Sequence, residues 1–224
     1  KENIICQAEE VLKHHFDLLG SGKVDLGPKI DWHRDFKSGH RWEPGTYFKD
    51  YVRVRLEDHS DIKVTRELSR FQHLPLLGKA YWLTGDERFA LEFVNQLNNW
   101  MDENPPMFSI NWDCAMDVAI RAVNWVTAYS FFQQSPSLSL KFQKRLAKSL
   151  LSHGRFIYEN LEYYEAPVDG EIKRLNSNHY LSNLSGLIFI AAACPFFKES
   201  RHWIAFASGE LFQEIEEQVY PSGV

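Results

Sequence analysis

The chain has 224 residues, of which 44% are hydrophobic and 14% aromatic, enough for one large domain with a substantial core. Its net charge is −5 and it has no Lys- and Arg-rich run, which argues against general nucleic-acid binding. On a protein with this net negative charge, an acidic polymer could bind only in a local basic cleft. No apolar run reaches the roughly 18 residues that a membrane-spanning helix needs, so we expect no membrane span.

Motifs for metals and cofactors are not found in this sequence. Cys6, Cys114 and Cys194 lie far apart and form no CxxC pair, so we expect neither a zinc site nor a disulfide framework. GxSxG, HExxH and Gly-rich phosphate-loop motifs are missing, and we therefore expect no cofactor. The chain begins at Lys1 without an initiator Met or a signal peptide, which predicts that it is processed or cut from a longer protein.

The first predicted elements are a helix and a long irregular segment. The spacing of apolar residues predicts a helix over Glu2–Leu19. From Ser21 to about Ser60, Gly and Pro interrupt any regular pattern. This segment contains five aromatic residues: Trp32, Trp42, Tyr47, Phe48 and Tyr51. It either lines a sugar-binding cleft or packs as a strap over the first helices, and the sequence alone leaves both open.

Helical periodicity dominates the rest of the chain, and strand-like alternation is not found. Six further helices are predicted, over Asp61–Leu83, Asp86–Glu103, Asp113–Phe132, Ser137–Leu161, Asn178–Ala193 and His202–Val219. Helices joined by tight turns become antiparallel neighbours, so the pattern fits a bundle, a solenoid or an α/α toroid. The lack of a fixed-period repeat disfavours an ordinary solenoid. We predict one all-α domain over residues 1–224, with helical hairpins over 61–224.

The most informative segment is NSNHYLSNLSGL, residues 176–187. On a helix, five of its residues would share one polar face: Asn178, His179, Ser182, Asn183 and Gly186. A polar stripe of this kind predicts a helix that lines a cavity, with Asn178 and His179 at the mouth. The alternative is that Ser177 or Asn176 caps the helix and His179 is an ordinary surface residue.

A second group of polar residues lies near residue 70. Arg66, Arg70 and His73 are spaced to form one edge of a helix, where cationic groups could hold carboxylates or sulfates. The alternative is a solvated helix face with an ion pair between Glu67 and Arg70.

A third group begins at Trp112, at the entrance of a predicted helix. Its position makes Trp112 a better candidate than Trp125 for stacking on a sugar ring. Asp117, Arg121 and Trp125 follow at four-residue spacing and are better explained as buried structural contacts.

In their order along the chain, these segments resemble the heparinase II/III family of polysaccharide lyases. The matching segments are Asp31-Trp32-His33, Arg66–Leu74, Gly78–Asp86, Asn111-Trp112, Ala119–Trp125 and Asn178-His179 with Gly186-Leu187. The resemblance implies an incomplete α/α toroid followed by a large antiparallel β domain, with an acidic polysaccharide between them. It also implies a periplasmic or secreted location.

The resemblance implies that the family's reaction is β-elimination in a uronate-containing polysaccharide such as heparin or heparan sulfate. The C5 proton becomes acidic only when the uronate carboxylate is neutralised, and Asn178 corresponds to the neutralising residue. His179 would assist it or act as the base. The catalytic acid is a Tyr expected beyond Val224 rather than Tyr180, so we expect residues 1–224 to be inactive alone.

Two other functions fit the same sequence features. An α/α-toroid glycoside hydrolase would need two carboxylates facing one cleft. A non-catalytic glycan-binding helical domain would need only the aromatic and cationic residues.

Overall fold

The computed structural model describes residues 1–55, 57–168, 170–175, 177–219 and 223. Eight α-helices occur in these residues: α1 Glu2–Leu12, α2 Ile62–Ser69, α3 Leu74–Thr84, α4 Glu87–Glu103, α5 Ala115–Phe132, α6 Leu140–Glu159, α7 Asn178–Ala193 and α8 Ser200–Gln218. The predicted helical architecture is confirmed. None of the described helices combines the length and apolar character needed to cross a bilayer.

The described strands form three two-stranded antiparallel ladders, which the sequence did not predict. They pair β1 His15–Phe16 with β2 Val24–Asp25, β3 Val54–Arg55 with β4 Ser60–Asp61, and β5 Tyr164–Val168 with β6 Glu171–Leu175. The first two ladders are too short to show an alternating pattern in the sequence. The third is a hairpin that links α6 to α7.

Side chains just before the helices determine where several of them begin. Asp61 accepts a hydrogen bond from the Lys63 amide at the start of α2, and Ser177 accepts one from the His179 amide at the start of α7. Each bond satisfies an amide that has no partner inside the helix. At the other end of α3, Gly85 adopts the left-handed conformation that ends the helix.

Two predicted helices are shorter in the structure. The helix predicted over Asp61–Leu83 is divided into α2 and α3, because Phe71 takes a left-handed φ of 58°. Phe71 is fully buried against Trp32, Trp100 and Trp125, and this packing holds a bulky residue in a conformation that it rarely adopts. Similarly, α1 ends at Leu12 rather than Leu19, shortly before His14 with φ of 55°.

The helices form two layers. Helices α3, α5 and α7 lie side by side in one layer, since α5 contacts both α3 and α7. The second layer consists of α4, which contacts α3, then α6, which contacts α5 and α7, and α8, which contacts α7. Helix α5 is apolar on more than one side because it has α3 and α7 beside it and α6 behind it.

The irregular segment between α1 and α2 covers these helices. Trp32, Trp42 and Phe48 are each at most 5% exposed. Trp32 donates a hydrogen bond to Asn99 of α4 and packs on Phe71. These contacts decide between the two predictions for this segment: its buried aromatic residues pack as a strap and do not line an open cleft.

Candidate active site

The candidate site lies where the N-terminal ends of α5 and α7 meet. Cys114, which immediately precedes α5, is 4.0 Å from His179 in the first turn of α7, measured between Sγ and Nδ1. Glu162, in the link between α6 and β5, lies between them. The two helices therefore run in the same direction, and the positive ends of their helix dipoles meet at one side of the domain.

Glu162 is held from several directions. Its Oε2 accepts a hydrogen bond of 2.6 Å from the Met116 amide, which lies in the first turn of α5, and one of 3.2 Å from the side-chain amide of Asn183. The Glu162 backbone amide donates back to Asn183 Oδ1. Because Cys114 provides no side-chain cap for α5, Glu162 satisfies one of its free amides from outside the helix.

This fixed carboxylate orients His179. Glu162 Oε1 lies 3.0 Å from His179 Nδ1, so the ring donates its Nδ1 proton to the carboxylate. In the tautomer that donates from Nδ1, Nε2 carries no hydrogen and can accept a hydrogen bond. The His179 side chain is 40% exposed, and Asn178 next to it is exposed as well.

The alternatives for this segment can now be compared. Ser177 caps α7, as one of the predictions had it, while Asn176 lies outside the described residues. Asn178 is therefore not needed as the cap. His179 is more than a simple surface residue, because its ring is held by Glu162.

The predicted polar stripe is open at Asn178 and His179 and partly open at Ser182, whose hydroxyl donates to the Asn178 carbonyl, but it is closed beyond Ser182. Asn183 is fully buried and holds Glu162, and Gly186 packs against α5. A Cβ on Gly186 would lie 2.6 Å from the Cβ of Ala119, so this glycine allows the two helices to approach closely. The deeper polar residues of the stripe therefore support the site instead of lining it.

Cys114 is buried beside the carboxylate. Its Sγ lies 3.3 Å from Glu162 Oε1. Burial and the charges of Asp117 and Glu162 raise the pKa of the Cys114 thiol well above its usual range, against a smaller opposing effect of Arg66. The protein therefore holds a neutral thiol at this position, which makes Cys114 a poor nucleophile.

Arg66 and Arg70 lie next to this group and are paired with buried carboxylates. Arg66 is within 3.1 Å of both Asp113 and Asp117, and Arg70 Nε is 2.5 Å from Asp117. Arg70 also pairs with Glu67, as the alternative prediction for this helix face required. These pairs join α2 to the start of α5, so both arginines border the site, with side chains 13% and 22% exposed.

The charges around the site nearly balance. Arg53, Arg66 and Arg70 pair with three carboxylates, those of Asp113, Asp117 and Glu67, and Glu162 adds a fourth carboxylate next to His179. Burial raises the pKa of Asp113, against the opposing effects of Arg53 and Arg66. The local basic cleft expected from the sequence is therefore not formed by these residues alone.

The structure contradicts the role predicted for Trp112. This residue is fully buried, with its ring 4.7 Å from His153 and 5.2 Å from Phe156, and its indole donates to the Asn104 carbonyl. An indole enclosed in this way cannot stack on a sugar. The entrance of α5 is covered by α6, which the local sequence around Trp112 did not indicate.

His73 is also separated from the site. The break at Phe71 removes it from the helix that carries Arg66 and Arg70. Its Nε2 is 2.7 Å from Gln96 Oε1, and its ring packs against Phe16. The contacts of His73 are thus with α4 and the segment after α1.

Glu162 and Cys114 were not predicted from the sequence. They lie 48 residues apart, and Glu162 is 17 residues from His179, so no short motif contains them. The only available signal was indirect: an acidic residue in the link between the α6 pattern and the Asn-His helix.

Comparison with known families supports the fold and its likeness to lyases. A family model described as heparinase II/III N-terminus matches residues 2–224. The chain belongs to this family. In the heparinase II/III family, the two helical layers described above form an incomplete α/α toroid.

Related proteins and structures agree with this assignment. A heparin-sulfate lyase of Pedobacter heparinus is 26% identical over 222 residues, which are 97% of this chain and 28% of that protein. A heparin-sulfate lyase of Bacteroides stercoris is 23% identical over 202 residues, which are 81% and 28% of the two proteins. The crystal structure of heparan sulfate lyase HepC from Pedobacter heparinus superposes with a TM-score of 0.74 at 23% identity, covering 99% of this chain and 30% of that one.

Proposed function

We propose that this chain is the toroid portion of a polysaccharide lyase that cleaves uronate-containing acidic polysaccharide by β-elimination. The observation that carries the proposal is the pairing of an exposed Asn178 with a His179 oriented by Glu162 at the mouth between α5 and α7. The full reaction belongs to a longer protein, since the chain spans only 28% of the two lyases compared above.

Asn178 neutralises the uronate carboxylate in this mechanism. Its side-chain amide donates to a carboxylate oxygen, and the free backbone amides in the first turn of α7 add positive potential. As the C5 proton leaves, negative charge moves onto that carboxylate. A donor already fixed in place stabilises this charge more in the transition state than in the bound substrate.

His179 assists through its free nitrogen. With Nδ1–H donated to Glu162, the ring presents Nε2 to the substrate as an acceptor.

In the elimination, the C5–H bond and the C4–O4 bond break, and a C4–C5 double bond forms. A base takes the C5 proton, and an acid protonates the departing O4.

The carboxylates near the site favour a lyase over a glycoside hydrolase. Hydrolysis needs one carboxylic acid and one carboxylate facing the same cleft. Here Asp113 and Asp117 are at most 2% exposed and are paired with arginines, and Glu162 holds both Met116 and His179. The site therefore offers an oriented amide and imidazole more readily than a pair of acids.

The same contacts disfavour a purely glycan-binding domain. Binding without chemistry would depend on open aromatic and cationic groups. Trp112 is buried, and the guanidinium groups of Arg66 and Arg70 are already paired with carboxylates.

A heparin- or heparan-sulfate-like polymer is the substrate that we propose, because the similar proteins are named heparin-sulfate lyases. Such a polymer is met outside the cytoplasm, so we propose a periplasmic or secreted location. We further propose that a β domain of the same protein forms the other wall of the site.

Replacing Asn178 by Ala in the complete enzyme tests this function. We expect kcat on heparan sulfate to fall by about 10²–10³, with a smaller change in KM, because the lost hydrogen bond acts mainly in the transition state. The unsaturated uronate produced by elimination absorbs ultraviolet light and provides the assay. Melting temperature should change little, because Ser177 and not Asn178 caps α7.

The matched control is Asn95→Ala, at an exposed position of α4, a helix that packs against α3 and α6, and we expect it to keep full activity. Products without unsaturated uronate would show hydrolysis, and an intact polymer would show binding only. A stable Asn178→Ala enzyme with unchanged kcat would remove Asn178 from the mechanism.

A further inference from the structure

Three side chains at the candidate site bring together sulfur, nitrogen and oxygen atoms. Cys114 Sγ, Glu162 Oε1 and His179 Nδ1 all lie within 4.8 Å of one another. Their pairwise distances are 3.3 Å from Sγ to Oε1, 4.0 Å from Sγ to Nδ1 and 3.0 Å from Nδ1 to Oε1. Thiolate, imidazole and carboxylate are the ligand types that zinc takes from proteins.

The spacing of these atoms suits a tetrahedral ion. Zinc binds sulfur at about 2.3 Å and nitrogen or oxygen at about 2.0–2.2 Å, which places tetrahedral ligand atoms about 3.3–3.6 Å apart. Adjustments of about half an ångström or less would bring the three atoms to this spacing. The three side chains leave a fourth tetrahedral position for a water molecule, and solvent reaches the group because the His179 side chain is 40% exposed.

Hydrogen bonds from neighbouring residues hold the Glu162 ligand of this group in place. Glu162 is anchored by the Met116 amide and by Asn183, which is fully buried. Outer contacts of this kind fix the orientation of metal ligands. Asp117 and Glu162 also add negative charge around Cys114, which favours a divalent cation, although Arg66 reduces this effect.

We propose that Cys114, Glu162 and His179 form a site for a zinc-like divalent transition-metal ion. The combination of a thiolate with an imidazole selects such ions over Mg²⁺ and Ca²⁺, which prefer oxygen ligands. Binding replaces the Cys114 S–H bond with a sulfur–metal bond and releases the proton to solvent. His179 binds the ion through Nδ1 as the other neutral tautomer: Nδ1 loses the proton that it donates to Glu162, and Nε2 takes up a proton, so that Nε2 of the metal-bound ring is a donor and no longer an acceptor.

This site does not depend on the proposed lyase function, and its test needs no activity measurement. The full-length protein is titrated with Zn²⁺ by calorimetry and, separately, with Co²⁺ followed by absorbance. We expect one more bound ion per chain in the parent protein than in the Cys114→Ser variant. The Co²⁺ protein should show a thiolate-to-metal charge-transfer band that Cys114→Ser lacks.

Cys194→Ser is the matched control, because Cys194 is also a buried free cysteine but lies at the opposite end of α7. It should keep both the bound ion and the charge-transfer band. Loss of an outer-shell partner weakens metal binding by up to about 100-fold. His179→Ala removes a ligand itself, from a partly exposed position, so it should weaken Zn²⁺ binding by more than about 100-fold. Far-UV circular dichroism confirms that each variant is folded.

The proposal is overturned if the parent protein and Cys114→Ser bind the same number of Zn²⁺ ions with the same affinity. It is also overturned if the charge-transfer band is missing from the parent protein or disappears in Cys194→Ser. These results leave the lyase assignment untouched, since Asn178 is not a ligand.

Discussion

Arg121 is a charged residue that is fully buried in α5. Its Nε donates to His153 Nε2 at 2.9 Å, and Nη1 donates to the carbonyl of Asn111. The guanidinium group also lies 4.2 Å from the Trp100 ring. Burial and this charge hold the pKa of His153 well below its usual range, so the imidazole stays neutral and accepts the bond.

Arg121→Met should therefore destabilise the protein strongly. The substitution keeps much of the side-chain volume but leaves His153 and buried backbone carbonyls without their donor. Such losses cost about 1–3 kcal/mol for each buried group, so we expect the free energy of unfolding to fall by about 3–5 kcal/mol. Chemical denaturation followed by circular dichroism measures this change.

Arg145→Met is the control for this prediction. Arg145 pairs with Asp102 on the surface, where their side chains are 35% and 66% exposed. An exposed pair contributes at most about 1 kcal/mol. Equal effects of the two substitutions would show that the contacts of buried Arg121 contribute no more than a surface pair.

His73 gives the protein a sensitivity to acid. Burial lowers its pKa from the usual 6.5 to about 4, against the raising effect of its hydrogen bond to Gln96. Between these pH values the unfolded chain binds a proton that the folded protein does not. Stability contributed by neutral His73 is therefore complete above about pH 6.5 and is lost progressively as the pH falls towards 4.

In His73→Gln this proton difference disappears. We expect the free energy of unfolding to depend less on pH between 6.5 and 4, by up to about 1.4 kcal/mol per pH unit. Denaturation curves at several pH values measure the slope. A measurement at pH about 8 gives the part of the effect that is due only to changed packing. An unchanged slope would mean that His73 is protonated in the folded protein.

At the residue scale, the sequence predicted the Asn178-His179 pair because a polar helix start is a local pattern. It could not predict Glu162, whose role depends on the folding of α6, α7 and the link between them. The error for Trp112 has the same cause, because an aromatic residue at a helix entrance has the same local pattern whether or not another helix covers it.

At the scale of elements, the close approach of α5 and α7 positions the site. Gly186 allows this approach, since an added Cβ would lie 2.6 Å from the Ala119 Cβ and 2.9 Å from its backbone Cα. Because the obstructing atoms include backbone, the helices must separate to accept a larger residue. Such a separation would also move Asn183 and the Glu162 carboxylate that it holds.

Gly186→Ala should lower the free energy of unfolding by about 1–3 kcal/mol through overpacking. Thermal and chemical denaturation measure the change. Gly209→Ala is the matched control, because Gly209 is an exposed helical residue of α8 with free space around it. We expect Gly209→Ala to be neutral or to stabilise by up to about 1 kcal/mol, from higher helix propensity alone. Stabilisation by both substitutions would contradict the close contact.

The existence of most helices was predictable from the sequence, while the early end of α1 and the break between α2 and α3 were not. Apolar spacing identified α4 to α8 to within a few residues. The division between α2 and α3 at Phe71 arises from tertiary packing against three tryptophans, which overrides local helix preference.

At the scale of the whole molecule, the proposed lyase site lacks one catalytic group among the described residues. Asn178 and His179 are at the mouth, but an acid for the departing O4 is not apparent among the described groups there. Tyr180 is fully buried and donates to Glu210 at 2.6 Å, and burial together with this bond raises its pKa well above its usual range. Tyr180 is therefore unsuited to act as the acid. We propose that this group comes from the part of the lyase that the chain does not span.

Residues 1–224 alone should therefore fold but show negligible lyase activity. A missing general acid or base reduces the rate by about 10²–10⁴, and the loss of the opposite wall of the site reduces substrate positioning further. Activity on heparan sulfate, measured by the ultraviolet absorbance of the product, is compared with that of the complete enzyme. Far-UV circular dichroism must show a mainly helical protein, so that inactivity is not due to misfolding. Turnover within about tenfold of the complete enzyme would show that residues 1–224 contain all of the catalytic groups.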